Sequence, residues 1–270
     1  MLEGKCPNLK IIKGVNKICT DMVIAAHQDD VEIMCPQGII KCRNDKNHGL
    51  VAVIVTNGSG SPRSGRFAAF TNEEMMAQRA LEQERAAKYG RYTGLVSLNE
   101  KSIDVRDFDN PRITECLAEI ITEYKPKTVH VHNLADKHST HVACSLRAID
   151  AIRLLPEELR PTQLFGCEVW RGLDWYSDTE KVVYDLTGHE KFLQSLLNIF
   201  ESQIAGGKRY DLAAKGRWVA NAVYAYPRSV DEYKVASYAM DLSVLIKNSD
   251  IKPKEFILSK IEDFKNSILI

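Results

Sequence analysis

Met22-Val23-Ile24-Ala25-Ala26 runs without a break into His27-Gln28-Asp29-Asp30. An apolar run of this kind reads as a buried strand of a parallel sheet. The polar cluster then falls just past the strand's carboxyl end, where open α/β sheets place their ligand sites. Burying a histidine and two carboxylates beside a core strand is costly without a cation or hydrogen bonds to offset it. The stretch therefore reads as half of a metal site.

The other half lies about a hundred residues further on. Thr128-Val129-His130-Val131-His132 is β-rich and leads into Asn133-Leu134-Ala135-Asp136-Lys137-His138-Ser139-Thr140-His141, so that four of the 7 histidines fall in one short segment. His130 and His132 alternate along a strand and are expected to be structural. His138 and His141 are placed in a loop entering a helix over Val142–Leu155, again after a strand. His-x-x-Asp and His-x-x-His at strand ends on one sheet edge supply two histidines and a carboxylate. That is a catalytic zinc set with an open position, and equally the arrangement used for Fe(II). The sequence does not choose between them.

Between the halves, strands and helices alternate. Leu50–Val55 is a second all-apolar strand, followed by a Gly/Ser-rich loop over 56–65. Thr71 and Glu74 form a capping box for a helix over Met75–Tyr89 that stops at Gly90, with Arg79 and Glu82 on one face. Leu95–Leu98 is a short strand, and a helix from Ile113 to Tyr124 stops at Pro126. Later strands are expected at 164–170 and 181–186, with a helix over 191–202. This order predicts an α/β, Rossmann-like three-layer fold, with a mostly parallel central sheet and helices on both faces. A chain of 270 residues fits a single domain, with a core of about 20–205 and an extension over 206–270 packing on it.

Composition narrows the partners. Lys+Arg and Asp+Glu each number 36, which gives no general attraction to nucleic acid. No segment is apolar for the length a membrane span needs, and Met1–Lys5 lacks a signal-peptide core, so a cytoplasmic protein is expected. The 7 cysteines are scattered and expected to be reduced thiols; Cys35 and Cys144, near the histidine clusters, are expected to pack rather than to ligate.

Taken together, these motifs resemble the PIG-L/LmbE-like metal-dependent N-deacetylases, which act on N-acetylglucosaminyl conjugates. His27-Gln28-Asp29-Asp30-Val31-Glu32-Ile33 is similar to the family's first motif, and Asp136-Lys137-His138-Ser139-Thr140-His141 to its second. Arg79, Glu82, Ala86 and Gly90 match the intervening helix, and Ser202-Gln203 looks like a late Ser-Gln pair. The resemblance spans roughly 20–205. It implies an LmbE-like fold, and a zinc (or Fe2+) site of His27, Asp30 and His141. Asp29 would be the general base toward a metal-bound water, and a protonated His138 the oxyanion stabiliser and general acid. Substrate contacts would come from Arg79, oriented by Glu82, and from Asp136. The expected substrate is a small-molecule amino-sugar conjugate, and a homo-oligomer is compatible with the family.

Three departures carry expectations. Gln28 stands for a proline, with an effect confined to loop stiffness. Pro36-Gln37 replaces two glycines. Thr140 replaces an acidic residue, which is expected to lower the pKa of His138. Selectivity is expected in the loops 57–70, 99–110 and 166–180, with Trp170, Trp175, Tyr176 and Trp218 as stacking candidates and Arg63, Arg66 and Arg171 as readers of a phosphate or carboxylate. A non-catalytic sugar-binding homologue would be expected to have lost Asp29 or a ligand. A two-metal hydrolase of another bond would need a third acidic or histidine cluster. Neither fits as well.

Overall fold

The computed structural model describes residues 6–14, 18–205, 207–226 and 228–268; the N-terminal reading of Met1–Lys5 lies outside them. The strands are β1 (Lys10–Lys13), β2 (Asp21–Ala25), β3 (Leu50–Thr56), β4 (Gly94–Glu100), β5 (Thr128–His132), β6 (Gln163–Cys167), β7 (Lys181–Asp185) and β8 (Ala236–Asp241). They form one sheet in the order β1-β4-β3-β2-β5-β6-β8-β7. The central pairs β4–β3, β3–β2, β2–β5 and β5–β6 are parallel. β1, β8 and β7 extend the edges antiparallel.

The helices are α1 (Asp30–Met34), α2 (Pro36–Asn44), α3 (Asn72–Gly90), α4 (Ser102–Arg106), α5 (Arg112–Tyr124), α6 (Ser139–Leu154), α7 (Glu190–Leu197), α8 (Glu201–Ala205), α9 (Tyr210–Tyr224), α10 (Ser243–Lys247) and α11 (Pro253–Ile268). The alternation of side chains along a strand explains the layers. Met22 and Ile24 of β2 join a buried cluster with Leu117 and Ile121 of α5 and Ile149 and Ile152 of α6. Val23 and Ala25 of the same strand pack on the other face with Ile39 of α2, Ala86 of α3 and Leu196 of α7. Both faces are covered, as the unbroken apolar runs require.

Several boundaries differ from expectation, each for a local reason. A one-turn helix, α1, begins at Asp30 and breaks at Cys35, just before Pro36 opens α2. The left-handed residue ending α3 is Arg91 (φ 59°). Gly90 is instead needed for space, since a Cβ there would lie 2.4 Å from Cε1 of Tyr92. His138, the last residue of the entering loop, caps α6 as expected, whereas His141 sits in the helix's first turn and not in the loop. The helix expected over 191–202 is two, α7 and α8. β8 lies between β6 and β7, so residues of the C-terminal extension form part of the sheet itself.

The cysteine expectation needs correction as well. Cys6 and Cys116, separated by 110 residues in sequence, are joined as a disulfide with Cα atoms 5.8 Å apart. Both belong to the α5-side cluster, a proximity that spacing along the chain does not reveal. Cys35 and Cys144 are free and fully buried, consistent with packing.

Candidate active site

In the sheet order β2 is flanked by β3 and β5. The chain moves outward from β2 through β3 to β4, then returns to the other side of β2 with β5. That reversal is the switch point at which α/β sheets open a crevice beyond the strands' carboxyl ends. His27 follows β2 directly, and β5 leads through Asn133–Lys137 to His138 and His141 at the start of α6.

Three donor atoms meet there. His27 Nδ1 is 3.2 Å from Asp30 Oδ2 and 3.1 Å from His141 Nε2, and His141 Nε2 is 3.4 Å from Asp30 Oδ2. Four-coordinate zinc with His and Asp bonds near 2.0–2.1 Å has a tetrahedral edge of about 3.3 Å. The three atoms already form one face of such a tetrahedron, so the residues fit a divalent cation. His138 lies near enough to His27 and His141, and His132 near enough to Asp30 and His141, to form alternative sets. The Nε2 of His132, however, accepts a 2.9 Å hydrogen bond from the Ala26 amide, which occupies its lone pair. His130 is likewise committed, to Asp21 at 2.8 Å. Both histidines are structural, as expected.

The electrostatics follow from burial and neighbours. Against the cost of burial, His141, His132 and His27 hold the Asp30 carboxyl far below the usual range. Burial lowers His27. Burial also disfavours charge on His141, but Asp30 and Asp136 outweigh it and raise its pKa. Asp136 stands behind His141, with Oδ1 3.3 Å from Nδ1, and accepts from the backbone amides of His138, Trp170 and Arg171. It therefore backs the ring of His141 instead of reaching substrate, a correction to its expected role.

Asp29 has φ 83° and ψ −24°, a left-handed conformation, at the N-terminus of α1. Its amide is held by Gln83 Oε1 at 3.2 Å, and Gln83 is fixed in turn on Glu32. Burial pushes the Asp29 carboxyl up, Arg79 opposes this, and Asp30 and Glu32 add to it. Arg79, 2% exposed, donates to the Gln28 carbonyl at 2.5 Å and lies 3.5 Å from Asp29 Oδ1. Gln28 also joins its side chain to Arg79 Nε and to the Thr56 carbonyl, so it fixes the arginine and does more than set loop stiffness.

Glu82 does not orient Arg79. It is fully buried and accepts from the amide and hydroxyl of Ser202 at 2.8 and 2.6 Å and from Gln78 at 2.7 Å. Helical spacing reports a shared face, but not which neighbour each side chain takes. His138 is also corrected. Its Nδ1 accepts from the Thr140 amide at 3.3 Å, which leaves the ring proton on Nε2. Burial and the nearby His141 and His27 lower its pKa to about 4, so it is neutral at pH 7. The shift has the expected direction, but burial is its leading cause.

His27, Asp29, Asp30, Arg79 and His138 line a cavity of ≈ 570 Å³, together with Gly58, Ser61, Trp170, Gln203 and Tyr210. The cations at its mouth are Arg106, Lys208, Arg209 and Arg217, not the expected trio. Arg63 is tied to Ser59, Thr71 and Asn72, and Arg66 to Glu201. Arg171 does not line the cavity. Of the aromatic candidates only Trp170 does, with Lys208 Nζ 5.2 Å over its ring; Tyr176 and Trp218 are core, and Trp175 packs on Tyr176 and Phe264. The loops at 57–70 and 166–180 contribute as expected, and α4 contributes from within 99–110. Gln203 belongs to the Ser-Gln pair already singled out, but Lys208, Arg209, Tyr210 and Arg217, which also line the cavity, escape the sequence reading, because nothing in their composition marks them as site-facing.

Residues 22–152 match the profile of the family described as PIG-L: GlcNAc-PI de-N-acetylase. No curated protein matches the chain. Solved structures do. N,N'-diacetylchitobiose deacetylase from Pyrococcus horikoshii is 15% identical with a TM-score of 0.66, over 84% of this chain and 85% of that one. The conserved protein TT1542 from Thermus thermophilus is 17% identical with a TM-score of 0.64, over 83% and 95%. GalB, the 4-carboxy-2-hydroxymuconate hydratase from Pseudomonas putida, is 16% identical with a TM-score of 0.63, over 83% and 96%. At such identities these structures establish the LmbE-like α/β fold. The match to the PIG-L family's model is thus a domain match over residues 22–152 of the 270-residue chain.

Proposed function

We propose that the chain, folded as one domain over 1–270, is a metal-dependent N-deacetylase that removes the acetyl group from an N-acetylglucosamine-type conjugate. The observation that carries this reading is the convergence of His27, Asp30 and His141 on one centre, with the Asp29 carboxylate beside it and Arg79 3.5 Å from that carboxylate. The cavity is of the size small-molecule sites have. The family's description and the substrate in the Pyrococcus protein's name are both N-acetylated amino sugars. The hydratase of like fold is a reminder that fold alone does not choose a reaction; the side chains must.

His27, Asp30 and His141 would hold a divalent cation, zinc or iron(II), which would supply Lewis acidity for the attacking water and the acetyl carbonyl. Asp29 takes the proton from the attacking water, a role suited to a carboxylate whose pKa burial has raised toward the working pH. Neutral His138 donates from Nε2 to the oxygen on which negative charge develops. Asp29, now protonated, returns the proton to the departing nitrogen, giving the free amine and acetate. Arg79, whose Nη1 has no protein partner, donates to the sugar. Trp170 offers a stacking face, and the cations at the mouth favour an anionic aglycone. No helix among the described residues is long and apolar enough to cross a membrane.

The test is acetate and free-amine release by the metal-loaded protein from a panel of N-acetylglucosaminyl conjugates. Equal amounts of the two products support the reading. Absence of acetate from every conjugate refutes it.

A further inference from the structure

We infer that Gln203 is a substrate-reading residue whose side-chain amide donates to an oxygen of the bound sugar; this rests on the amino-sugar reading above and names a contact within it. Gln203 lines the cavity beside the metal donors, yet is only 5% exposed, and its Nε2 has no hydrogen-bond partner. Buried polar atoms are nearly always satisfied, and an orphan of this kind calls for an explanation. Among the described residues, the unpartnered buried side-chain atoms that border this cavity are Gln203 Nε2 and Arg79 Nη1. Both are donors. Two donors with nothing to donate to select a ligand rich in oxygen acceptors, which a pyranose with its hydroxyls is.

The framework around Gln203 is rigid. The Glu82 carboxylate grips the adjacent Ser202 at its amide and hydroxyl. The Gln203 amide donates to the Phe200 carbonyl, and its own carbonyl accepts from the Lys208 amide. Glu82 belongs to α3, one turn beyond Arg79. One helix therefore positions both orphan donors, Arg79 directly and Gln203 through Ser202. A backbone fixed this firmly, carrying a buried side chain whose Nε2 is unpartnered, is preorganised to present that donor to a ligand group.

Calorimetric binding of methyl glucosaminide and its 3-, 4- and 6-deoxy forms to metal-loaded protein tests this without turnover. Wild type is compared with Gln203→Leu and Gln203→Glu. Gln203→Leu removes an orphan donor at similar volume, so its melting temperature should hold or rise while affinity for the glucosaminide falls about tenfold. Gln203→Glu should lose affinity likewise, having replaced a donor with an acceptor. The loss should vanish for the one deoxy compound that lacks the matching oxygen. Equal affinity in wild type and Gln203→Leu overturns the proposal, as does a Gln203→Leu protein that melts far lower, which would make the residue a packing element. If the loss occurs but no conjugate releases acetate, Gln203 stands and the deacetylase reading falls. A wild type that binds no glucosaminide defeats both.

Discussion

His27 Nδ1 and His141 Nε2 face each other at 3.1 Å although 114 residues separate them in the chain. Two imidazole lone pairs repel at that distance unless a proton or a cation lies between them. Asp30 Oδ2, at 3.2 and 3.4 Å from the same two atoms, makes a cation the better occupant. Strands β2 and β5 pair in register from Asp21 to Val23, and this pairing brings the two halves of the site together.

Asp136 gives the first prediction. Carboxylates that orient a ligating histidine typically contribute 10–100-fold to metal affinity. Asp136→Asn should therefore weaken zinc binding by about that factor, measured by competition with a chelator, while His141→Ala should abolish stoichiometric binding. Wild-type affinity in Asp136→Asn would remove the carboxylate from this role.

Asp29 is expected to trade stability for activity. An acid whose folded pKa exceeds its unfolded one binds more protons when folded, so its contribution to stability falls as pH rises from the unfolded value through the folded one. At neutral pH the buried carboxylate is thus a cost, and asparagine tolerates positive φ at least as well as aspartate. Metal-free Asp29→Asn should melt higher, by roughly 2–4 °C for each kcal/mol recovered. Its turnover should fall about 10²–10⁴-fold. Scanning calorimetry at pH 7 and pH 4 checks the sign, since the gain should shrink at the lower pH.

What the sequence made legible was whatever depended on neighbours along the chain. The apolar run Met22–Ala26 announced a two-sided strand, and the His27 and His141 motifs announced a metal set. Contacts that arise only when distant segments meet were hidden. Glu82 and Ser202 are 120 residues apart, so a buried strut resembled a residue reaching for Arg79. The neutrality of His138 depends on burial, which no motif encodes, and the Cys6–Cys116 bridge depends on how the segment before β1 packs on α5.

The pH profile offers a further check. The raised pKa of Asp29 places the acid limb of kcat/KM above the ordinary carboxylate range, with activity lost as pH falls and the base becomes protonated. His138, lowered to about 4, stays neutral above that value, so it should produce no fall in activity near pH 6.5. An alkaline fall centred there in wild type and absent in His138→Gln would contradict its assignment as a neutral donor.

Aglycone charge should matter at the cavity mouth. Among the described residues no carboxylate forms an ion pair with Lys208 or Arg106, whereas Arg209 is paired with Asp211 at 2.7 Å. An exposed charge contact is worth up to about 1 kcal/mol. Lys208→Ala should thus raise KM for an anionic aglycone by up to roughly fivefold, and added salt should erode the difference. KM for a neutral aglycone should not move; an equal rise for both would assign Lys208 to structure.

The most direct test compares single-turnover acetate release by metal-loaded wild type and Asp29→Asn, with metal content measured on the same samples. Both proteins should hold one equivalent of metal, and only wild type should release acetate and amine in equal amounts. Comparable release by a fully metallated Asp29→Asn would contradict the account, because the proton transfers would then belong to another group.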